Sequence, residues 1–293
     1  MKTTINSKKI YDALYPEILR MNVHLQPDVT EVLSEVSRTA KDLGAKVLGA
    51  IGENIKLAGE KNIPLCQDTG MVLCFVEIGN DVIVAGESLE TTIHNAVGDA
   101  YRDGYFRKSV VADPLKDRTN TGTNLPPVIY YDFVEGGDIK ISILAKGFGS
   151  ENCSRIEMLK PTTDRAGVIQ AVKKIVKTAG GSPCPPVILG IGLGGTMDYA
   201  AKLSKKAFLR DLDDENPDEY YALLEEDILK EVNELAIGPG GLGGAATCLG
   251  VKIEKYPTHI AGLPLAVSVN CWADRKISVV IEGMKTEKAG LNE

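Results

Sequence analysis

PLCQDTGMVLCFVEIG, residues 64–79, is the stretch at which this 293-residue chain changes its period. Its first half sets a thiol (Cys66), an amide (Gln67), a carboxylic acid (Asp68) and a hydroxyl (Thr69) in consecutive positions between Pro64 and Gly70. Its second half, MVLCFVEIG (71–79), is a continuous apolar run of strand length flanked by glycines, and reads as a buried strand with Cys74 in the core. A cysteine in such a turn has two readings. It packs as a small hydrophobe beside an ordinary Asp-Thr-Gly turn, or it ligates a metal while its neighbours touch whatever the metal binds. The turn alone does not decide between them.

Upstream, the first sixty residues read as helical, with Ile10, Leu14, Ile18 and Leu19 at helical spacing. A second helix is predicted from Asp28, capped by its own side chain with Glu31 as reciprocal partner, as far as Gly44. A third, from about 45 to 61, delivers the chain to the cysteine turn. Downstream, a helix from Ser88 to about Tyr105 precedes an irregular stretch holding Arg107 and TNTGTNLPP (119–127). VIYYDFV and IKISILAKG flank Glu135-Gly136-Gly137-Asp138 and are predicted to pair antiparallel around a tight turn. KGFGSEN (146–152) follows as a second glycine-rich turn. Then come a helix over 162–178, GGSPCPP (180–186), the strand VILGIG, and helices over 195–210 and 218–236 around an acidic linker. GPGGLGGAA (238–246) leads to strands near 247–254, 263–270 and 276–282 and a polar tail from 285. The order predicts a mixed α/β (α+β) fold with strands and helices interleaved. The expected organisation is one domain, 1–293, with a helical N-terminal part (1–62) packed on a mixed or antiparallel sheet and a cluster-binding part at 63–284.

The hydrophobic fraction of 44% and charged fraction of 25% are those of a globular protein. A net charge of -7 leaves no basic surplus for nucleic acid or an anionic membrane. MKTTINSKKIYDALYPEILRM has no apolar stretch of signal-peptide length, and no later run approaches the roughly 18 apolar residues of a membrane span. A cytoplasmic location is expected. The six cysteines (66, 74, 153, 184, 248, 271) form no CxxC pair, which argues against a zinc ribbon or ferredoxin-type cluster, and they are too few and too scattered for a disulfide scaffold. Cys66, Cys184 and Cys271 each fall where a strand meets a turn. Soft thiolates select an iron-sulfur cluster or zinc. With three protein ligands, one iron of a cubane stays open as a Lewis acid that can help a hydroxyl leave as water. GIGLGG (190–195) competes, because Gly190, Gly192 and Gly195 fit GxGxxG between a strand and a helix, with Asp211 about 20 residues on. That acid ends a helix in a charged linker, so strand-helix packing or a glycine-lined approach to another anion accounts better for the glycines.

PLCQDTG, NTGTNLPP, KGFGSEN, PCPPVILGIGLGGT, GPGGLGGAAT, PTHIAGLP and VNCWADR, in this order over roughly residues 60–280, resemble the α-subunit family of the two-subunit class I iron-sulfur hydro-lyases. These are fumarate hydratases and L-tartrate dehydratases. The resemblance implies that Cys66, Cys184 and Cys271 ligate a 4Fe-4S cluster, with Cys74, Cys153 and Cys248 as packing thiols. It implies that Gln67 and Asp68 contact a dicarboxylate, that Asp68 protonates the departing hydroxyl, and that Arg107 grips a substrate carboxylate, a task suited to a bidentate guanidinium. Gly149 is expected to offer a backbone contact and His259 to stand beside cluster and substrate as a catalytic group. His94 is read as an ordinary surface or core histidine. The remaining arginines and the base belong, by the resemblance, to a second domain that nothing after Glu282 supplies. A separate β subunit is therefore expected, in a hetero-oligomer with α-α contacts. NTGTNLPP and KGFGSEN look more like the fumarase branch, so fumarate and (S)-malate are the expected reactants. L-tartrate or another hydroxy-diacid is the near alternative; a non-catalytic iron-sulfur protein or a nucleotide-binding oxidoreductase is the distant one.

Overall fold

The computed structural model describes residues 2–285, so the polar tail from 286 onward lies outside the described residues. In chain order the elements are β1 (Thr3–Asn6), α1 (Ser7–Val23), α2 (Pro27–Thr39), α3 (Asp42–Lys61), β2 (Met71–Gly79), β3 (Val82–Ala85), α4 (Leu89–Asp103), β4 (Val128–Val134), β5 (Ile139–Lys146), α5 (Phe148–Glu151), β6 (Arg155–Leu159), α6 (Arg165–Ala179), β7 (Val187–Gly194), α7 (Met197–Lys206), α8 (Glu219–Asn233), β8 (Cys248–Tyr256), β9 (Leu263–Cys271), β10 (Lys276–Ile281) and β11 (Met284–Lys285). This is the mixed α/β architecture read from the sequence. The chain forms two compact units of non-consecutive segments. The first gathers the chain through Val23, Cys66–Ala145 and the chain from Lys276; the second gathers His24–Leu65 and Lys146–Arg275. The N-terminal helical stretch is thus shared out: α1 belongs to the first unit, α2 and α3 to the second.

In the first unit a four-stranded sheet runs β10-β5-β2-β4. β2 is an inner strand, which is why its apolar run is buried almost throughout. α1 lays down Ile10, Leu14, Ile18 and Met21, and α4 adds Ile93, Ala96, Val97 and Ala100, to a core that includes Val72, Cys74 and Val76. Two expectations change here. β1 is a strand inside the stretch read as helical, paired in parallel with β3. β4 and β5 are not hairpin partners, because β2 lies between them and β4 pairs with it in parallel, Cys74 opposite Ile129. The connecting loop wraps the end of β2 instead: Gly79 N–H donates to Asp138 O, Asn80 N–H to Val134 O and Asp81 N–H to Gly136 O. A Cβ at Gly79 would stand 2.4 Å from the Gly136 carbonyl oxygen, so the loop can pass only over a glycine.

The second unit is built on the sheet β6-β9-β7-β8, in which β9 is antiparallel to β6 and β7, and β7 is parallel to β8. Val172, Ile175 and Val176 of α6 and Leu224, Ile228 and Val232 of α8 close its core. α7 packs on β7 so tightly that a Cβ at Gly190 would meet the Ser204 carbonyl oxygen at 2.2 Å, and one at Gly192 the Ala200 carbonyl oxygen at 2.0 Å. Close strand-helix approach accounts for GIGLGG. α2 starts at Pro27, with Gln26 rather than Asp28 as N-cap. Asp28 is drawn out of the capping role because its carboxylate accepts the Leu212 N–H at 2.8 Å. α2 ends at Thr39, and α3 begins at Asp42 rather than 45.

Candidate active site

The cysteine turn is held in the first unit from three directions. The Asp68 carboxylate accepts the Gly70 N–H at 3.0 Å, the local bond that makes Asp-Thr-Gly a turn. The buried Tyr101 hydroxyl on α4 donates to Thr69 O at 2.6 Å. The Thr69 hydroxyl in turn donates to Arg107 O at 2.9 Å. Asn124, fully buried and at a left-handed φ of 63°, closes the arrangement. Its amide nitrogen donates to Gly70 O at 3.1 Å and its amide oxygen accepts the Ser109 N–H at 2.7 Å. CQDTG, the Arg107 stretch and NTGTN are therefore one hydrogen-bonded assembly, although 38 residues separate Thr69 from Arg107. It leaves Gln67 and Arg107 exposed and Asp68 half-buried. Asn124 is the residue that sequence reading missed: it lay within a quoted motif, but only its backbone conformation and two bonds reveal what it does.

In the second unit, ladder register brings Cys184 and Cys271 to one end of the sheet. Cys271 closes β9 directly opposite Val187, and Cys184 lies three residues before Val187 in the loop that enters β7. Cys184 is exposed and has a φ of 56°, in the left-handed region that a non-glycine residue occupies at a cost. Its loop is braced by GPGGLGG: Gly240 N–H donates to Pro185 O at 2.7 Å, and a Cβ on Gly241 would stand 2.6 Å from the Gly181 Cα. KGFGSEN reaches the same end from the other side of β9, since Arg155 pairs with Val267 and the Ser154 hydroxyl accepts the Val269 N–H at 3.1 Å. Gly149 is exposed, at an ordinary φ, with nothing within 4 Å of a Cβ placed there. Nothing among the described residues requires a glycine at 149, which leaves room for a ligand to approach its backbone. His259 is not brought to this end. It lies in the β8–β9 connection, at the opposite end of β9, a strand of nine residues, or roughly 26 Å at about 3.3 Å per residue. Its ring Nδ1 accepts the Ala261 N–H at 3.2 Å, so a neutral ring carries its proton on Nε2.

Burial sorts the six cysteines. Cys66 and Cys271 are half-buried and Cys184 is exposed, whereas Cys74, Cys153 and Cys248 are buried. Burial pushes the Cys74 and Cys248 thiols up to about 12, which keeps them protonated and unfit as ligands. The three open thiols are the three expected ligands, and soft, accessible sulfur donors fit an iron-sulfur group. Among the described residues no group of three or more His, Cys, Asp or Glu side chains could hold a single metal ion.

Sequence reading also missed the buried charges at the Cys271 end. Lys146 ends β5 with its side chain 1% exposed; its ammonium donates to Gly147 O at 2.9 Å and to the Ser150 hydroxyl at 2.7 Å. It stands 3.5 Å from the Glu151 carboxylate, which Lys205 of α7 also holds. Burial brings the Lys146 ammonium down to about 8, helped by Lys205 and opposed by the charges of Glu151 and Cys271. Burial alone would raise Glu151, but the charges and hydrogen bonds of Lys205 and Lys146 hold its carboxyl below the usual range. Four residues past Cys271, Arg275 is 2% exposed, and its Nε and Nη1 have no hydrogen-bond partner among the described residues.

Comparison with known proteins gives this arrangement a family. A family model described as fumarate hydratase (fumerase) matches residues 12–280. A Methanocaldococcus jannaschii protein provisionally named L(+)-tartrate dehydratase subunit alpha is 39% identical over 275 residues, 92% of this chain and 96% of that protein. The L(+)-tartrate dehydratase subunit alpha of Escherichia coli strain K12 is 30% identical over 264 residues, 89% and 87% of the two chains.

Proposed function

From the premise that this chain belongs to the fumarate hydratase family, as an α-type subunit of the class I hydro-lyases, we propose that it hydrates fumarate reversibly to (S)-malate together with a separate β subunit. We assign Cys66, Cys184 and Cys271 as the ligands of a 4Fe-4S cluster. The observation that carries this donor set is the sorting of the cysteines: these three thiols are open, and the other three are closed by burial. When bound, the cluster supplies a Lewis-acidic iron for the substrate hydroxyl.

The chain's own residues bind and orient. Arg107 and Gln67, both exposed beside the cysteine turn, are assigned to the dicarboxylate, the guanidinium to one carboxylate and the amide to the other polar groups. Asp68 is assigned as proton donor to the departing hydroxyl. The Gly70 N–H fixes its Oδ1 and so sets the plane of the carboxyl group. Gly149 is assigned a backbone contact. His259, which its own unit keeps at the far end of the sheet from Cys184 and Cys271, is given no step in this scheme. The proton at the adjacent carbon is left to a base on the β subunit.

The test is co-expression with a β subunit of the same hydro-lyase class, anaerobic reconstitution, and parallel assays on fumarate, (S)-malate and L-tartrate. The proposal requires kcat/KM for fumarate and malate to exceed that for tartrate. Tartrate is the second reading, favoured by the names of the relatives above. A reversed order would establish it. The fumarase-like character of NTGTNLPP and KGFGSEN supports the first.

A further inference from the structure

The turn that follows β5 is held from within by buried polar groups. α5 (Phe148–Glu151) has four residues, fewer than a helix needs to sustain itself. One carbonyl gathers it. Gly147 O accepts the Glu151 N–H at 3.1 Å, the Ser150 hydroxyl at 3.2 Å and the Lys146 ammonium at 2.9 Å. The same ammonium donates to the Ser150 hydroxyl at 2.7 Å, so Lys146, Ser150 and Gly147 close a ring of bonds. At the other end of the turn the Glu151 carboxylate is held by Lys205 of α7 and stands 3.5 Å from the Lys146 ammonium. The Cys153 thiol donates to Gly149 O at 3.6 Å.

Burial gives this arrangement a direction. Lys146 is 1% exposed, Ser150 4%, and Gly147 is buried, whereas Phe148 and Gly149 are exposed. The bonds therefore lie on the inner side of the turn and the Gly149 backbone on the outer side. A buried ammonium is costly, and apolar side chains of similar volume usually serve stability as well. What the ammonium supplies instead is a set of directed, charge-assisted bonds that hold the turn in one conformation. We propose that Lys146 is a positioning residue for the substrate: through Gly147 O and Ser150 it fixes the backbone that Gly149 presents to the dicarboxylate, with Lys205 and Glu151 bracing the far end of the turn. This rests on the reading that gives Gly149 a backbone contact with substrate.

Hydrogen exchange of the full chain, read by mass spectrometry, tests the turn without substrate. In Lys146→Met the Glu151 and Asn152 amides, which donate to Gly147 O and Phe148 O, exchange about tenfold faster, while amides of β7 and β9 keep their wild-type rates. Ser150→Ala keeps the ammonium and its charge but removes the hydroxyl, and accelerates the same amides about threefold. Wild-type rates at the turn in both variants, or acceleration spread over the whole chain, overturn the proposal. The second arm uses the reconstituted complex with the β subunit. KM for the dicarboxylate that it turns over rises about tenfold in Lys146→Met and about threefold in Ser150→Ala, with kcat and iron per chain within about twofold of wild type. Lys173→Met, which removes an ammonium from an ion pair with Glu231 on α8, leaves KM unchanged. A KM that rises in Lys146→Met but not in Ser150→Ala assigns the effect to lost charge and overturns positioning, as does an unchanged KM over a loosened turn. A wild-type complex that loads iron yet turns over neither fumarate nor L-tartrate refutes the functional reading, and the substrate half of the proposal falls with it; the exchange rates still decide the turn.

Discussion

Asn124→Ala is the most informative single change, because it separates the scaffold of the cysteine turn from the groups that touch substrate. Three costs add. Gly70 O, buried, loses its 3.1 Å bond and keeps only a 3.4 Å approach from Tyr101, an under-satisfied carbonyl worth about 1–3 kcal/mol. Ser109 N–H loses its 2.7 Å acceptor but lies in an exposed residue that water can reach, so about 0.5–1 kcal/mol is lost there. Alanine must also adopt the φ of 63° that asparagine tolerates, at about 1–2 kcal/mol. The sum is about 2.5–6 kcal/mol. Asn124→Gly keeps the backbone freedom and loses both bonds, so it should recover about 1–2 kcal/mol of that loss. Equilibrium urea unfolding of the chain, followed by circular dichroism, gives both numbers. With the β subunit present, KM for the dicarboxylate should rise in both variants, because Thr69 and Arg107 are tied through this assembly. An alanine variant within about 0.5 kcal/mol of wild type, the usual range for an inert surface change, with KM unchanged, would refute the reasoning.

Native metal-free chain treated with iodoacetamide at pH 8 should take up label rapidly at Cys66, Cys184 and Cys271 and slowly at Cys74 and Cys248, whose thiols burial holds near 12; peptide mapping reads the order. The same two thiols give a stability-pH slope. Their folded values lie above the ordinary 9.0, so the unfolded chain alone releases protons as pH rises from about 9 toward 12, and stability falls across that window. Replacing both by valine should flatten the slope in urea melts at pH 8 and 10.5. Gly192→Ala drives a methyl into the Ala200 carbonyl at 2.0 Å; a loss of about 1–3 kcal/mol or more is expected, with no nucleotide binding before or after by calorimetry. Cys184→Ala should lose cluster iron after reconstitution while Cys153→Ala keeps it, and equal loss in both would sink the ligand assignment.

How much of this was legible in the sequence depends on the range over which each choice is made. MVLCFVEIG announced an inner strand because burial on both faces leaves a continuous apolar run, and one segment records that by itself. Which strands flank it is recorded nowhere in that segment. VIYYDFV-EGGD-IKISILAKG reads as a hairpin locally, and only Gly79, some fifty residues earlier, reveals that the loop must cross the end of another strand. Asp28 misled for the same reason: its acceptor preference was satisfied by a backbone N–H at Leu212 rather than by its own helix. At the candidate site, the cysteines were legible because motif blocks carry them, and burial then sorted the same three from the rest. Lys146 and Glu151 lay inside a quoted motif, yet a lysine and a glutamate five residues apart look like ordinary surface charge. What makes them otherwise is Lys205, which the fold of α7 against β7 brings to the same carboxylate through glycines that permit that close approach. The glycines that imitated a nucleotide fingerprint and the charges that sequence could not read are therefore two sides of one packing decision. A substitution at Gly190 or Gly192 should accordingly weaken the Lys205–Glu151 pair, read as a smaller coupling energy between Lys205→Met and Glu151→Gln in urea melts, without touching any residue assigned to the substrate.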